Sequence, residues 1–382
     1  MTVHNKKTLL RNLFLELLSA SIWRKPVASP GLFTNLTVND WKGLLSIASL
    51  QGTIALVSDA ALSLPKGSLP SLPVIVELVN NVETIRKMND RHIDKLQEIK
   101  EEYEKNDLPF IILKGLGLAL NYPEPKLRNT GDIDVFLYRP GDYERSADWI
   151  KQKGLKSYPE HDNHKHLPYT WDKIYIENHG DLLFFEREKY NRLMRDMYIN
   201  RIESGNIPIV SIGGRDIKQL PNDINAFYVF AHMFFHIIHY GCNFKQLTDW
   251  VMLLNRHHSE INKAEFVAMA KAFDMLRPMQ AFARIAVEHL DAPEEIFPFE
   301  INRSYDRLAE QMLNEMFRID EYGVHNSNKG DKKVWKRRFV QFIRQARHAG
   351  RIAELSPAHV LYIPIANVKK SIMRTIKGEK GW

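Results

Sequence analysis

The first 90 residues show the spacing of apolar side chains that is typical of helices. Apolar residues recur there every three or four positions, which places them along one face of each helix. Residues 64–73 interrupt the pattern because they hold three prolines and one glycine, which break helices. A further helix with a largely polar surface is predicted from residue 74 to about residue 105. The apolar positions that carry the prediction are Leu9, Leu10, Leu13, Phe14, Leu17, Leu18, Leu44, Leu45, Ile47, Ala48, Leu50, Ile54, Ala55 and Val57.

The pattern changes after Leu108, where short apolar runs replace the helical spacing. Runs of this length, bounded by glycine, proline or charged residues, predict buried strands. Gly154 predicts the end of a helix, because glycine readily adopts the left-handed conformation of a C-cap. The predicted order is strand 110–113, helical turn 116–122, strand 133–138, helix 142–154 and strand 173–178. This alternation predicts an α/β core.

From residue 221 the pattern is helical again. Pro221, Asn222 and Asp223 are typical of a helix start, and the aromatic residues Phe227, Phe230 and Phe234 that follow lie on one helical face. A length of 382 residues suits two to three domains. We therefore predict an N-terminal helical region (1–90), a core (91–218) and a C-terminal helical domain (219–382).

The composition is that of a globular protein with a sizeable core, since 44% of the residues are hydrophobic and 26% are charged. No membrane span is predicted, because no apolar run reaches the roughly 20 residues that a span needs. Arg11 and Glu16 interrupt the apolar run that a signal peptide would need. The single cysteine, Cys242, excludes an intramolecular disulfide and a cysteine-based zinc site. We expect a cytoplasmic protein.

The net charge of +7 is partly concentrated in residues 329–351, which hold nine lysines or arginines and one acid, Asp331. Such a stretch can bind nucleic acid, an anionic substrate or a membrane surface. It can equally be the solvated face of a helix. The solvated face is the favoured interpretation, because basic runs are common and weakly specific.

The segment Gly131-Asp132-Ile133-Asp134 carries the clearest chemical signal. In a strand, alternate side chains point to the same face, so Asp132 and Asp134 are predicted to project together, about 7 Å apart at Cα. Two carboxylates on one face repel each other unless a cation lies between them. Oxygen ligands at this spacing suit Mg²⁺ or Mn²⁺. An isolated pair of this kind is common on protein surfaces, so its surroundings decide the interpretation.

Those surroundings add a phosphate-accepting turn and a third acid. Strand 110–113 ends at Lys114-Gly115, before a predicted helix whose free N–H groups favour phosphate. Glycine there allows phosphate to approach the backbone closely. Strand 173–178 places Glu177 on the face opposite Ile174 and Ile176. Three carboxylates beside such a turn form a coherent site.

The sequence resembles the DNA polymerase β nucleotidyltransferase superfamily, in which a glycine motif is followed by D-x-D and a third carboxylate. It is more closely similar to the bacterial group of uncharacterised nucleotidyltransferases known as NTP transferase family five. This resemblance implies a small mixed β-sheet core, an α+β or α/β fold, flanked by N- and C-terminal helical regions. The matching residues are Leu113-Lys114-Gly115, Tyr122, Pro123, Pro125, Arg128, Gly131 to Asp134, Glu177 and His179.

The resemblance implies a role for each residue. Asp132, Asp134 and Glu177 would be catalytic and would bind the metal ions, Mg²⁺ or Mn²⁺. Glu177 would also help to deprotonate the acceptor hydroxyl. The nucleotide-binding residues would be Lys114, Gly115 and Arg128, whose two side-chain cations would neutralise the triphosphate. Each of these two residues also has a structural alternative. Lys114 would then be a snorkelling lysine, and Arg128 would form a surface salt bridge.

The histidines divide into two groups. His232, His236 and His239 share one face of a predicted helix, and histidines four apart can bind zinc. A structural role or contact with substrate is favoured over zinc. Together with His179, His232 and His236 are the predicted substrate-binding residues, and in the related group they are accompanied by an acid that matches Asp249. The second group, His161, His164 and His166, is predicted to be a solvated loop cluster.

The predicted function is therefore two-metal transfer of a nucleoside monophosphate from a nucleoside triphosphate to an unidentified acceptor, with release of pyrophosphate. The acceptor can be a small molecule, a protein or RNA. One alternative is a catalytically silent nucleotide-binding or interaction module. Another is a nucleic-acid-binding protein that acts through residues 329–351, for which strong salt dependence of binding would be diagnostic.

Overall fold

The computed structural model describes residues 3–158, 166–239, 241–318 and 347–363. Helices make up most of this part of the chain, and short strands lie between residues 111 and 218. The helices are α1 (Val3–Trp23), α2 (Val38–Leu50), α3 (Ile54–Leu62), α4 (Leu72–Lys105), α5 (Gly115–Ala119), α6 (Asp142–Gln152), α7 (Glu188–Glu203), α8 (Asn222–His239), α9 (Phe244–His257), α10 (Lys263–Ala272), α11 (Leu276–Leu290), α12 (Asp306–Met316) and α13 (Pro357–Val360). The strands are β1 (Ile111–Leu113), β2 (Ile133–Phe136), β3 (Lys156–Ser157), β4 (His166–Trp171), β5 (Ile174–His179), β6 (Ile209–Ile212) and β7 (Arg215–Lys218).

Five strands form one mixed sheet in the order β1-β2-β5-β4-β3. Strands β2 and β5 are parallel neighbours, whereas every other neighbouring pair in the sheet is antiparallel. Strands β6 and β7 form a separate hairpin. A five-stranded mixed sheet with helical flanks confirms the predicted fold class.

The sheet separates two hydrophobic cores because its side chains alternate between its faces. On one face, Ile133, Val135 and Ile176 pack with residues of α4 and α6 in a smaller core. On the other face, Leu113 and Phe136 belong to a larger core, which also takes in α1, α8, α9 and α11. The N-terminal and C-terminal helices therefore share one core across the face that carries Asp134.

The three predicted strands are confirmed, but the sequence prediction missed β3, β4 and the β6–β7 hairpin. Strand β4 turns into β5 through Asp172 and Lys173, which both have positive φ, 48° and 67°. Two such residues define the tight turn that suits a hairpin, usually built with glycine. The sequence offers no glycine there, and Pro168 within β4 argues against a strand.

The predicted division at residues 90 and 218 stays a prediction. Helix α4 runs without a break through the first of these positions. Among the described residues, no helix has the length and apolar character needed to cross a membrane.

Candidate active site

The centre of the site is formed by Asp134, Glu177 and His179, which the parallel pair β2–β5 brings together. Asp134 lies directly opposite Glu177 in the register, and His179 follows two positions later on the same face. His179 Nε2 lies 2.8 Å from Asp134 Oδ1 and 3.5 Å from Glu177 Oε2. One potential ligand atom from each residue lies within 4.8 Å of the others. Because Asp134 and His179 are only 1% exposed, the cluster is closed on one side and accessible through Glu177, which is 23% exposed.

Asp132 lies just before β2 and is half-buried. Its pKa is raised, first by the neighbouring carboxylate of Asp134 and then by burial. Asp132 is therefore electrostatically coupled to the cluster, although it is not one of the three residues whose ligand atoms lie within 4.8 Å. Its role as a metal ligand stays a prediction.

Lys114 provides the cation next to the cluster. Its Nζ lies 2.9 Å from Asp134 Oδ1 and 3.2 Å from His232 Nε2, and its side chain is 14% exposed. Burial, the largest single influence, would lower the pKa of Lys114, but the combined negative charge of Asp134 and the neighbouring acids raises it. Burial likewise opposes ionisation of Asp134, yet Lys114 and His179 hold the pKa of that carboxyl well below its usual range. Both groups are therefore charged at neutral pH.

Gly115 holds the Lys114 turn against the D-x-D segment. A Cβ atom at Gly115 would lie 3.2 Å from the carbonyl oxygen of Asp132, and the residue has a φ of +42°. Both facts favour glycine. Helix α5, which begins here, has only five residues. The predicted phosphate contact of Gly115 stays a prediction. In the structure, Gly115 allows the Lys114 turn to approach the backbone of Asp132 closely.

Arg128 forms a buried ion pair with Asp249, the acid that accompanies the two helix histidines in the related group. Its Nε and Nη2 atoms donate to the two carboxylate oxygens of Asp249, each at 2.7 Å. The Tyr122 hydroxyl also donates to Asp249, at 2.8 Å. Burial would lower the pKa of Arg128, but Asp249 outweighs it and raises the pKa. Arg128 thus fixes the loop before β2 to helix α9, and its predicted contact with triphosphate stays a prediction.

Helix α8 covers the site with His232, His236 and Tyr228. Burial, followed by the charge of Lys114, lowers the pKa of His232 well below its usual value and that of His236 to about 4. Both imidazoles are therefore neutral at pH 7, which allows His232 to accept a hydrogen bond from Lys114. Tyr228 is fully buried, and its hydroxyl has no hydrogen-bond partner among the described residues. The Tyr228 ring lies 6.2 Å, centroid to centroid, from the ring of His232, which contacts Lys114, so Tyr228 is near the cluster. Burial is the main cause of its raised pKa.

His166 corrects the prediction of a solvated histidine loop. It is the first residue of β4 and pairs with His179 across the antiparallel ladder. The two imidazole rings lie 4.1 Å apart at their centroids. The period-two alternation of Leu167, Tyr169 and Trp171 is the sequence signal that could have placed His166 in a strand. His161 and His164 lie outside the described residues.

Lys245, near the start of α9, is a second cation that the sequence prediction missed. It is half-buried, and within the described chain its ammonium has no ion pair. Burial, followed by the charge of Arg128, lowers the pKa of Lys245, while Asp132 and Asp249 act to raise it. Its stem packs on Gly52, where a Cβ would lie 3.2 Å from Lys245 Cβ.

Gln51 connects this end of α9 to the rest of the chain. Its carbonyl accepts from the Lys245 backbone N–H at 3.1 Å, and its side-chain oxygen accepts from the Phe244 N–H at 3.0 Å. Its side-chain amide donates to the carbonyl of Met316 at 2.9 Å. A residue of the N-terminal region therefore fixes the start of the helix that carries Lys245.

Three buried polar atoms at the cluster have no hydrogen-bond partner in the described part of the protein. They are Asp134 Oδ2, His179 Nδ1 and the Tyr228 hydroxyl. Unmet buried polar groups are costly and usually indicate a bound water, ion or ligand. The buried carboxylate oxygen beside Glu177 and His179 fits a divalent cation, and the two lysines fit the phosphates of a nucleotide.

The predicted basic stretch lies largely outside the described residues. At the end of the stretch that the structure describes, Arg351 Nε lies 2.7 Å from Glu315 Oε1. This arginine therefore packs against α12, as a residue on a helix surface does.

The family of uncharacterised nucleotidyltransferases matches residues 37–291, about two thirds of the chain, and the chain belongs to that family. No curated protein matches the sequence. The chain is similar to the crystal structure of an antigenic nucleotidyltransferase-like protein from Paracoccidioides brasiliensis, with 11% identity and a TM-score of 0.31. That match covers 55% of this chain and 92% of the other, and at this level it adds nothing to the family assignment.

Proposed function

We propose that the protein transfers a nucleoside monophosphate from a nucleoside triphosphate to an acceptor hydroxyl and releases pyrophosphate. The observation that carries the proposal is the buried cluster of Asp134, Glu177 and His179, beside Lys114 and at the end of a parallel strand pair in a chain of this family. A cytoplasmic location stays an expectation from the single cysteine.

Two lysines support binding of the triphosphate. Lys114 lies on one side of the cluster, and Lys245 contributes a positive charge that acts on Asp132. Ammonium groups held in a partly desolvated cleft stabilise phosphate charge more strongly than they do in water. Lys114 and Lys245 would therefore orient the phosphates so that the α-phosphorus faces the carboxylates.

Glu177 is suited to accept the proton, because it is the most exposed carboxylate of the cluster. The acceptor oxygen would attack the α-phosphorus, its proton would pass to Glu177, and the bond to the β-phosphate oxygen would break. When bound by Asp132, Asp134 and Glu177, divalent cations supply positive charge at the attacking and leaving oxygens. The neutral His232 and His236 would line the acceptor side.

The experiment compares two positions of the radioactive label. The purified protein is incubated with each nucleoside triphosphate, labelled at the α- or the γ-phosphate, together with a divalent cation and cell extract. We expect the α-label alone to enter an acceptor, and Asp134→Asn to reduce this labelling on the order of a thousandfold. Glu177→Gln should keep nucleotide binding but lose about a hundredfold in transfer.

The control is Asp148→Asn, which changes an exposed carboxylate on α6 and should leave labelling unchanged. Transfer of the γ-label would instead show phosphoryl transfer. Equal labelling by the wild type and Asp134→Asn would show that the cluster is not the active site.

A further inference from the structure

The cluster includes an imidazole nitrogen, that of His179, beside its two carboxylates. The type of ligand atom affects which metal ion the cluster would bind. His179 Nε2 faces the two carboxylates, at 2.8 Å from Asp134 Oδ1 and 3.5 Å from Glu177 Oε2. The three atoms are close enough for small side-chain rotations to bring them to about 2.2 Å from one ion. A residue first expected to contact the substrate therefore occupies a ligand position.

Two further observations indicate that an ion belongs here. Asp134 Oδ2 is buried without a hydrogen-bond partner among the described residues, so this carboxylate has coordination capacity that the protein leaves unused. The hydroxyl of Tyr228 is also buried without a described partner, and its ring lies 6.2 Å from that of His232, which contacts Lys114. A hydrated cation would meet both needs, because its water ligands donate hydrogen bonds and its charge attracts the free oxygen.

The Lys114 ammonium lies against the same carboxylate, at 2.9 Å from Asp134 Oδ1. It shares Asp134 Oδ1 with His179 and also contacts His232. An arriving divalent cation would take over the interaction with Oδ1, and Lys114 would be released toward the phosphates. Lys114 neutralises only part of the negative charge of Asp134, Glu177 and Asp132, so a divalent cation would add charge that the site lacks.

We propose that His179 is a direct metal ligand, and that the site Asp134–Glu177–His179 therefore selects a first-row transition metal, Mn²⁺, over Mg²⁺. Mg²⁺ prefers oxygen ligands and retains its waters, whereas imidazole nitrogen suits transition metals and Mn²⁺ accepts both ligand types. This inference rests on the proposed function for the use of the metal, but metal selection itself is measured without nucleotide.

The test uses calorimetry and pulsed electron paramagnetic resonance on the full chain with Mn²⁺ alone. We expect Mn²⁺ to bind at least about tenfold more tightly than Mg²⁺. The Mn²⁺ spectrum should show modulation from a directly bound imidazole nitrogen, and this modulation should change when the protein is grown with ¹⁵N-histidine. The isotope experiment needs no mutation, so it does not depend on the folding of a variant.

His179→Gln should abolish the nitrogen modulation and remove most of the preference for Mn²⁺, whereas His289→Gln, at an exposed histidine on α11, should change neither. Tight Mn²⁺ binding without nitrogen modulation would overturn the inference, as would an unchanged preference in His179→Gln. If the modulation is present but no nucleotide is transferred, the proposed function fails and the metal site stands. If transfer occurs with Mg²⁺ and no nitrogen is bound, only this inference fails.

Discussion

The two buried cation–carboxylate pairs around the site differ in how completely they satisfy their partners. In the Arg128–Asp249 pair, both carboxylate oxygens accept from the guanidinium, and Tyr122 adds a third donor. In the Lys114–Asp134 pair, Lys114 and His179 converge on one oxygen, while the other oxygen has no partner among the described residues. The first pair is complete and holds two elements together, whereas the second leaves coordination capacity for a ligand.

Lys245 represents a third situation, because within the described chain its ammonium has no ion pair. Arg128, Lys114 and the half-buried Lys245 therefore form a series from fully paired, through partly paired, to a cation without an ion pair in the described chain. Breaking a buried pair is strongly destabilising, whereas an unpaired buried charge already lowers stability. If this comparison is correct, the substitution of Arg128 should mainly reduce stability. The substitutions of Lys114 and then Lys245 should act increasingly on the nucleotide rather than on stability.

Arg128→Met should produce the largest loss of stability. It leaves the buried Asp249 carboxylate with only the tyrosine donor, so we expect the free energy of unfolding to fall by about 3–5 kcal/mol. Urea unfolding followed by circular dichroism measures the change. Arg192→Met, at an exposed position of α7, is the matched control and should stay within about 0.5 kcal/mol of the wild type. A loss below about 1 kcal/mol for Arg128→Met would mean that the pair is not structural.

Lys114→Met should act chiefly on transfer. His179 still donates to Asp134, so the stability loss should be smaller than that of Arg128→Met, while transfer falls about a hundredfold. The measurement combines the α-label assay with urea unfolding. Lys126→Met changes an exposed lysine of a neighbouring loop, paired with Asp90, and should leave transfer unchanged. If Lys114→Met were fully active, Lys114 would be only a structural cation.

Lys245→Met should have the smallest effect, and its effect on stability should have the opposite sign. Replacing this half-buried ammonium, which has no ion pair in the described chain, with an apolar chain of similar size should leave stability unchanged or raise it by up to about 1 kcal/mol. The KM for the nucleotide should rise about tenfold, with kcat less affected. Steady-state kinetics of Lys245→Met, with Lys126→Met as the control, measures the change in KM. An unchanged KM, or a clear loss of stability, would place Lys245 outside nucleotide binding.

The sequence was sufficient to predict that Asp134 and Glu177 lie on one face of the sheet, because strand periodicity is local. Residues two apart in a strand share a face, so Ile133 and Ile176 in the core predicted the opposite face for Asp134 and Glu177. The fold class followed from the same strands. His166 was missed because Pro168 and a turn without glycine conceal the hairpin that carries it.

Tyr228 and Lys245 were missed for a different reason. They lie on α8 and α9, far from the motif in sequence, and nothing local indicates which helix will cover the sheet. Tyr228 looks like one more aromatic residue on an apolar helix face, and Lys245 like one more surface lysine. Arg128 was predicted to bind triphosphate, which stays a prediction, and its pairing with Asp249 depends on tertiary packing that sequence spacing does not encode.

The contacts of Gln51 have a consequence for truncation of the N-terminal helices. The backbone carbonyl and side-chain oxygen of Gln51 accept from N–H groups in the first turn of α9, and its side-chain amide donates to the carbonyl of Met316 at the end of α12. The adjacent Gly52 leaves room for the stem of Lys245. A fragment beginning at residue 91 would keep every residue of the D-x-D motif, yet it would remove the two Gln51 acceptors from the start of α9 and the Gly52 contact of the Lys245 stem. The N-terminal helices thus support the helix that carries Lys245, and we expect the D-x-D segment to depend on them for a folded site.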